Sequence, residues 1–130
     1  METVPVRNSR GFTLIELILV VVIIGILASI AIPKFGNTKE KAYVAGMKAD
    51  LRNLVTAQEA YFSEYVTYAS ALGNLSYNVS TGNTLTLISS SGSGWSATAL
   101  NSGTAHTCGI FIGTATPPMT GEAEGQPVCN

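Results

Sequence analysis

No lysine or arginine follows Arg52, and no Asp, Glu, Lys or Arg lies anywhere between Glu64 and Glu122. Charged residues make up 12% of the 130 positions, against about a quarter in an ordinary soluble domain. A mixture this poor in charge belongs against lipid or against other copies of itself. The 7 basic and 8 acidic residues leave a formal charge of −1, so the chain lacks the field of a nucleic-acid binder and DNA is not indicated as a partner. Catalytic groups are equally scarce: there is one histidine, His106, no Asp beyond Asp50 and no glycine-rich phosphate loop. The one close pair of carboxylates late in the chain, Glu122 and Glu124, looks exposed. Nucleophile–base pairs and zinc sites both fail for want of partners, so the sequence points to no enzyme, no metal and no cofactor. A chain of this length has room for one core and a tail, not for two cores.

What the sequence does have begins at Phe12. From Phe12 to Ile32 run 21 residues whose only charge is Glu16. As a helix they span about 31 Å, the thickness of the hydrocarbon layer of a bilayer. A cleaved secretory signal is the other reading, with Arg7 and Arg10 before the run and Ser29-Ile30-Ala31 as a small-x-small site. Against it, Glu16 stands where such a signal carries no charge, and the periodic pattern continues past Ala31. Glu16 itself is costly at the edge of hydrocarbon and is therefore a functional candidate, although a first-turn carboxylate also gains from the helix dipole. Basic residues on both sides of the run leave its orientation open.

Beyond Pro33 the apolar positions recur at three- and four-residue steps: Val44, Met47, Leu51, Leu54, Val55, Gln58, Tyr61, Phe62 and Tyr65. Lys48, Arg52 and Glu59 fall on the opposite face. The two segments read as one rod from Phe12 to about Tyr65, softened between Gly25 and Pro33, with a kink expected at the proline. From Tyr68 the period changes. Thr84–Ser89, Trp95–Leu100 and Thr107–Ile112 are short apolar runs separated by Ser91-Gly92-Ser93-Gly94 and Asn101-Ser102-Gly103, which is turn chemistry. Leu85, Leu87, Ile88, Trp95, Ile110, Phe111 and Ile112 are the candidate core of this uncharged region. Three strands in consecutive hairpins form an antiparallel meander that can lie on the apolar stripe of the helix, giving an α+β fold. Met119–Asn130, preceded by Pro117 and Pro118, is a poor candidate for regular structure. Cys108 and Cys129 are an even pair that an oxidising compartment would bridge, stapling this tail over the strand bearing Cys108. Two reduced thiols remain the alternative.

The octapeptide Arg10-Gly11-Phe12-Thr13-Leu14-Ile15-Glu16-Leu17, followed by an apolar run with Gly25 and Pro33, resembles the prepilin signature of type IV pilins of the short-leader class. The continuation KAYVAGMKADLRNLVTAQEAYF, Lys41 to Phe62, is similar to the second half of the type IVa pilin helix. The resemblance covers Arg10 to about Tyr68, and the β region matches in layout only. It divides the chain into a leader 1–11, a membrane and filament-core helix 12–33, an amphipathic helix 34–67 and a β region 68–130.

The resemblance implies cleavage by a prepilin peptidase between Gly11 and Phe12 and N-methylation of Phe12. It implies that Glu16 pairs with the Phe12 amine of a neighbouring subunit during assembly, and that the helix loosens between Gly25 and Pro33 in the filament. The implied protein is the major subunit of a type IV pilus. It is a precursor in the bacterial inner membrane and then an extracellular homopolymer, assembled by inner-membrane machinery and its ATPases, serving motility, adhesion or DNA uptake. The major pseudopilin of type II secretion and a minor pilin acting as a binding module are the alternatives. Asn74-Leu75-Ser76 and Asn78-Val79-Ser80 fit a glycosylation sequon. Phe12, Phe35, Tyr43, Phe62 and Tyr68 lie along the rod, a spacing that suits packing more than electron conduction.

Overall fold

A computed structural model describes residues 11–130. The expected leader, except for Gly11, lies outside the described residues. One helix, α1 (Leu14–Tyr65), is followed by a single 3-10 turn at Leu72–Asn74 and four strands: β1 (Asn83–Ser91), β2 (Gly94–Asn101), β3 (Thr107–Gly113) and β4 (Val128–Cys129). The described residues up to Asn37 and the segment Thr38–Asn130 form two separate compact units.

In the first unit α1 starts two residues later than the apolar run does, because Thr13 is its N-cap. From there the helix is long and apolar enough to cross a membrane, and its most apolar window buries nothing within the chain. Leu14, Ile15, Leu17, Ile18 and Leu19 are all more than half exposed. This helix has no polar face, so its exposed surface calls for lipid or other helices.

In the second unit the four strands form one antiparallel sheet in the order β1-β2-β3-β4. The expected meander is present with a fourth strand added. β4 is only two residues long and pairs Cys129 with Cys108 and Val128 with Gly109. Its sequence shows no alternation, so its pairing is imposed by the Cys108–Cys129 disulfide. By the loop-entropy argument that bridge stabilises the fold by about 3 kcal/mol.

Strand alternation then sorts the core. Trp95, Ala97 and Ala99 of β2 stand beside Ile112, Ile110 and Cys108 of β3 on one face. With Leu85 they pack on Met47, Leu51 and Leu54 of α1 into a single cluster, buried except for Ile112 at its edge. Ile88 is a correction: it is 56% exposed, because the register slips between Leu87 and Ser89. This bulge turns Ile88 outward and lets the Ser89 and Ser96 hydroxyls meet at 2.8 Å. Tyr65, expected on the packing face, is likewise exposed and stacks on Tyr61 with ring centroids 4.4 Å apart.

Two polar side chains of α1, Asp50 and Gln58, are buried in this unit. Asp50, 2% exposed, accepts the Ser80 N–H at 3.0 Å, the Ser80 hydroxyl at 2.8 Å and the Asn83 amide at 2.6 Å. Asn83 in turn accepts from Asn101, whose side-chain carbonyl accepts the Gly103 N–H. This chain of bonds fixes the open end of the β1–β2 hairpin to the helix. Gly113, at φ +64, ends β3 against Ser93, where a Cβ would stand 2.1 Å from the Ser93 carbonyl. Only glycine fits that approach.

Candidate functional site

The head of α1 gathers the residues that the sequence singled out. Gly11 and Phe12 precede the helix, and Phe12 is 79% exposed. A Cβ on Gly11 would meet nothing within 4 Å, so the fold itself imposes no steric need for glycine there. Gly11 and Phe12 are both exposed, as a cleavage junction would have to be.

Glu16 is not free in the chain. Its carboxylate accepts the Thr13 N–H at 2.9 Å and the Thr13 hydroxyl at 2.6 Å, while the Glu16 N–H donates to Thr13 Oγ1 at 3.3 Å. This is a reciprocal capping box, in which the N-cap and the third helical residue satisfy each other's backbone donors. Leu17 then makes the first helical bond, to the Thr13 carbonyl. Thr13 was missed as a site residue, although Thr-x-x-Glu before an apolar run is a legible cap signal. The arrangement holds one carboxylate, with its charge shared over two donors, at the threshold of an uncharged helix. It sits four positions from the nitrogen that a cut after Gly11 would expose.

Gly25 and Pro33 both lie inside α1, which runs through them without interruption in the single chain. Pro33 has no N–H to give to the Ser29 carbonyl, and Ser29 turns its hydroxyl to Ile26 O at 2.7 Å. A side chain on Gly25 would find nothing within 4 Å, so its glycine answers no contact within the chain.

At the other end of the sequence, Cys108 and Cys129 are bridged. The acidic pair departs from expectation. Glu124 is exposed and accepts the Gly113 N–H at 2.7 Å. Both oxygens of Glu122, by contrast, are shielded from solvent. His106 sets one ring nitrogen against the Asn130 carbonyl and the other 3.4 Å from the Glu40 carboxylate, tying the start of β3 to the helix. Among the described residues no group of three or more His, Cys, Asp or Glu side chains could hold a metal ion.

Comparison with known proteins agrees with the geometry of the helix head. Residues 6–32 match the prokaryotic N-terminal methylation motif. Over 76 residues the chain is 43% identical to the type IV major pilin protein PilA of Myxococcus xanthus, a match covering 58% of this chain and 34% of that protein. It is 41% identical over 64 residues to the type IV wide pilus major component PilA4 of Thermus thermophilus, covering 49% of each chain. Type II secretion system core protein G of Pseudomonas aeruginosa is 38% identical over 64 residues, covering 49% of this chain and 45% of that protein. The chain therefore spans less than half the length of these curated relatives. The methylation motif and the helix that follows it are what this chain shares with these two type IV major pilins.

Proposed function

We propose that this chain is the major structural subunit of a type IV pilus. The observation that carries the reading is the head of α1: an apolar helix exposed on every side, with one carboxylate four residues after a cleavable Gly11–Phe12 junction. Leaving that surface in water is untenable, since each buried methylene gains about 0.8 kcal/mol. Before assembly a bilayer covers it, with the precursor in the inner membrane. After assembly the same helices of other copies cover it, and the β regions form the outside of a surface filament.

The Glu16 carboxylate then meets the Phe12 amine of a neighbouring copy. Either charge alone would be costly among apolar helices, and each neutralises the other only at one axial stagger, so the pair sets register. A prepilin peptidase exposes that amine and methylation follows on it. Loosening of α1 between Gly25 and Pro33 accompanies packing, because a side chain at Gly25 would meet nothing that braces it and Pro33 already lacks one helical bond. Assembly machinery and its ATPases drive the polymer, which serves motility, adhesion or DNA uptake.

The likeness to core protein G favours a second reading, a type II secretion pseudopilin. Intact-mass spectrometry of filaments sheared from cells, with and without reductant, separates the two. An abundant chain beginning at methylated Phe12, two hydrogens lighter before reduction, supports the pilus. A chain that shearing leaves in the envelope supports the pseudopilin, and one present at one or two copies per filament supports a minor pilin.

A further inference from the structure

The loop between β3 and β4, residues 114–127, is tied along β3 at several points. Gly125 donates its N–H to the Phe111 carbonyl at 3.0 Å, Glu124 accepts from Gly113, and the Cys108–Cys129 bridge closes the far end. Between these ties, Glu122 occupies a place that β3 leaves empty. A Cβ on Gly109 would stand 2.5 Å from Glu122 Oε1 and 2.8 Å from the Cγ atoms of Met119 and Pro118. The carboxyl group therefore lies in the notch of a missing side chain, with Pro118 and Met119 beside it. Cys108 and Ile110, the neighbours of Gly109, face the core, so the notch opens on the other side of the sheet.

Both carboxyl oxygens are occluded, and neither has a hydrogen-bond partner of good geometry among the described residues. An ionised carboxylate in such a place is expensive, whereas the neutral acid is tolerated. Burial accordingly pushes the Glu122 carboxyl up from its ordinary value, and the Met119 backbone N–H offsets only part of that.

The strands and the loop around it offer no cation. β2 and β3 carry no Asp, Glu, Lys or Arg. The other charge of the loop is Glu124, engaged with Gly113. His106, just before β3, faces Glu40 and Asn130, and Asp50 of α1 is held by Ser80 and Asn83.

We propose that Glu122 is a proton-operated latch: as the neutral acid it seats residues 114–123 on Gly109, and as the carboxylate it leaves the notch and releases them. The folded carboxyl is raised, so the seating contribution is fully present below the ordinary value and is lost as pH rises through the raised one. The disulfide and the Gly125–Phe111 bond confine the opening to this segment. The surface that the loop presents thus differs between acidic and alkaline media.

The test uses the full chain in detergent micelles. Amide hydrogen exchange of residues 114–123, corrected for intrinsic rates, is compared below the ordinary carboxyl value of 4.5 and at alkaline pH, together with a carbon-13 carboxyl titration of Glu122. Wild-type loop protection is expected to fall by about tenfold at alkaline pH, with β2 and β3 unchanged. Glu122→Gln is expected to hold its protection at both pH values, and Glu124→Gln to follow the wild type. Wild-type protection that ignores pH, or Glu122→Gln following the wild type, overturns the latch. Should Glu122→Gln fail to fold, the wild-type titration decides: a midpoint above 4.5 supports the latch and one at or below it overturns it.

Discussion

Gln58 holds Ala69 by both of its backbone groups. The Gln58 amide donates to the Ala69 carbonyl at 3.1 Å and its carbonyl accepts the Ala69 N–H at 2.8 Å, with Gln58 fully buried. A helix side chain thereby acts as a short strand, pinning the chain where it leaves α1. Gln58→Ala strands two buried backbone groups, each costing about 1–3 kcal/mol. A loss of about 3 kcal/mol is expected, read as a lower urea midpoint. A loss under about 0.5 kcal/mol, the size of an ordinary surface change, would show that water replaces the clamp.

That clamp holds a strained exit. Val66 ends the helix at φ 56, donating its N–H to Phe62 O at 2.8 Å. A β-branched residue in the left-handed region is a true outlier, at a position where helices normally use glycine. Val66 is also 75% exposed, so truncating it forfeits little packing. Val66→Gly relieves about 1–2 kcal/mol of backbone strain and loses about 0.5–1 kcal/mol to unfolded-state entropy. Thermal unfolding is expected to rise by a degree or more, and a lower melting temperature would show that Val66 carries contacts in the assembled protein.

Trp95 is the largest fully buried side chain, and its indole N–H finds no acceptor among the described residues. Two opposing terms follow for Trp95→Phe. The smaller ring leaves a void, while removal of an orphan donor returns about 1–3 kcal/mol. The variant is expected within about 1 kcal/mol of the wild type, whereas Trp95→Ala should cost about 3–5 kcal/mol. Chemical denaturation of the three proteins checks this, and a Phe variant as weak as the Ala variant would mean that the indole N–H is satisfied.

The sequence was most legible where one period ruled. The apolar stripe Met47, Leu51, Leu54 and Gln58 is buried as its spacing predicts, and the three hairpin strands fall within one or two residues of their turn signals. What escaped depends on contacts distant in sequence. Asp50 lies on the buried stripe, three residues from Met47, but its donors are Ser80 and Asn83, which no local pattern links to it. β4 exists through Cys108, twenty-one residues away. Glu122 looked exposed because nothing in the sequence says that Gly109 leaves room for it. At the helix head the reverse held: Thr13 was legible as a cap and was overlooked beside the more unusual Glu16.

The capping box gives the assembly proposal a sharp form. In the single chain, Thr13 supplies both donors to the Glu16 carboxylate, so pairing with a neighbouring amine must share or displace them. Thr13→Ala removes the hydroxyl and weakens the cap by about 1 kcal/mol, but it leaves the charge available. It should still yield sheared filaments at or near wild-type amounts. Glu16→Gln preserves shape and some capping while removing the charge that an ammonium requires, and Glu16→Ala removes both. Both Glu16 variants should give no filaments, although the unit Thr38–Asn130 melts as in the wild type, since Glu16 lies outside it. Were Glu16 needed only as a helix cap, the order would differ: Thr13→Ala would fail along with Glu16→Ala, and Glu16→Gln would assemble. Filament yield across the three variants therefore separates an intersubunit charge pair from a local cap, and wild-type yield from Glu16→Gln would eliminate the pair.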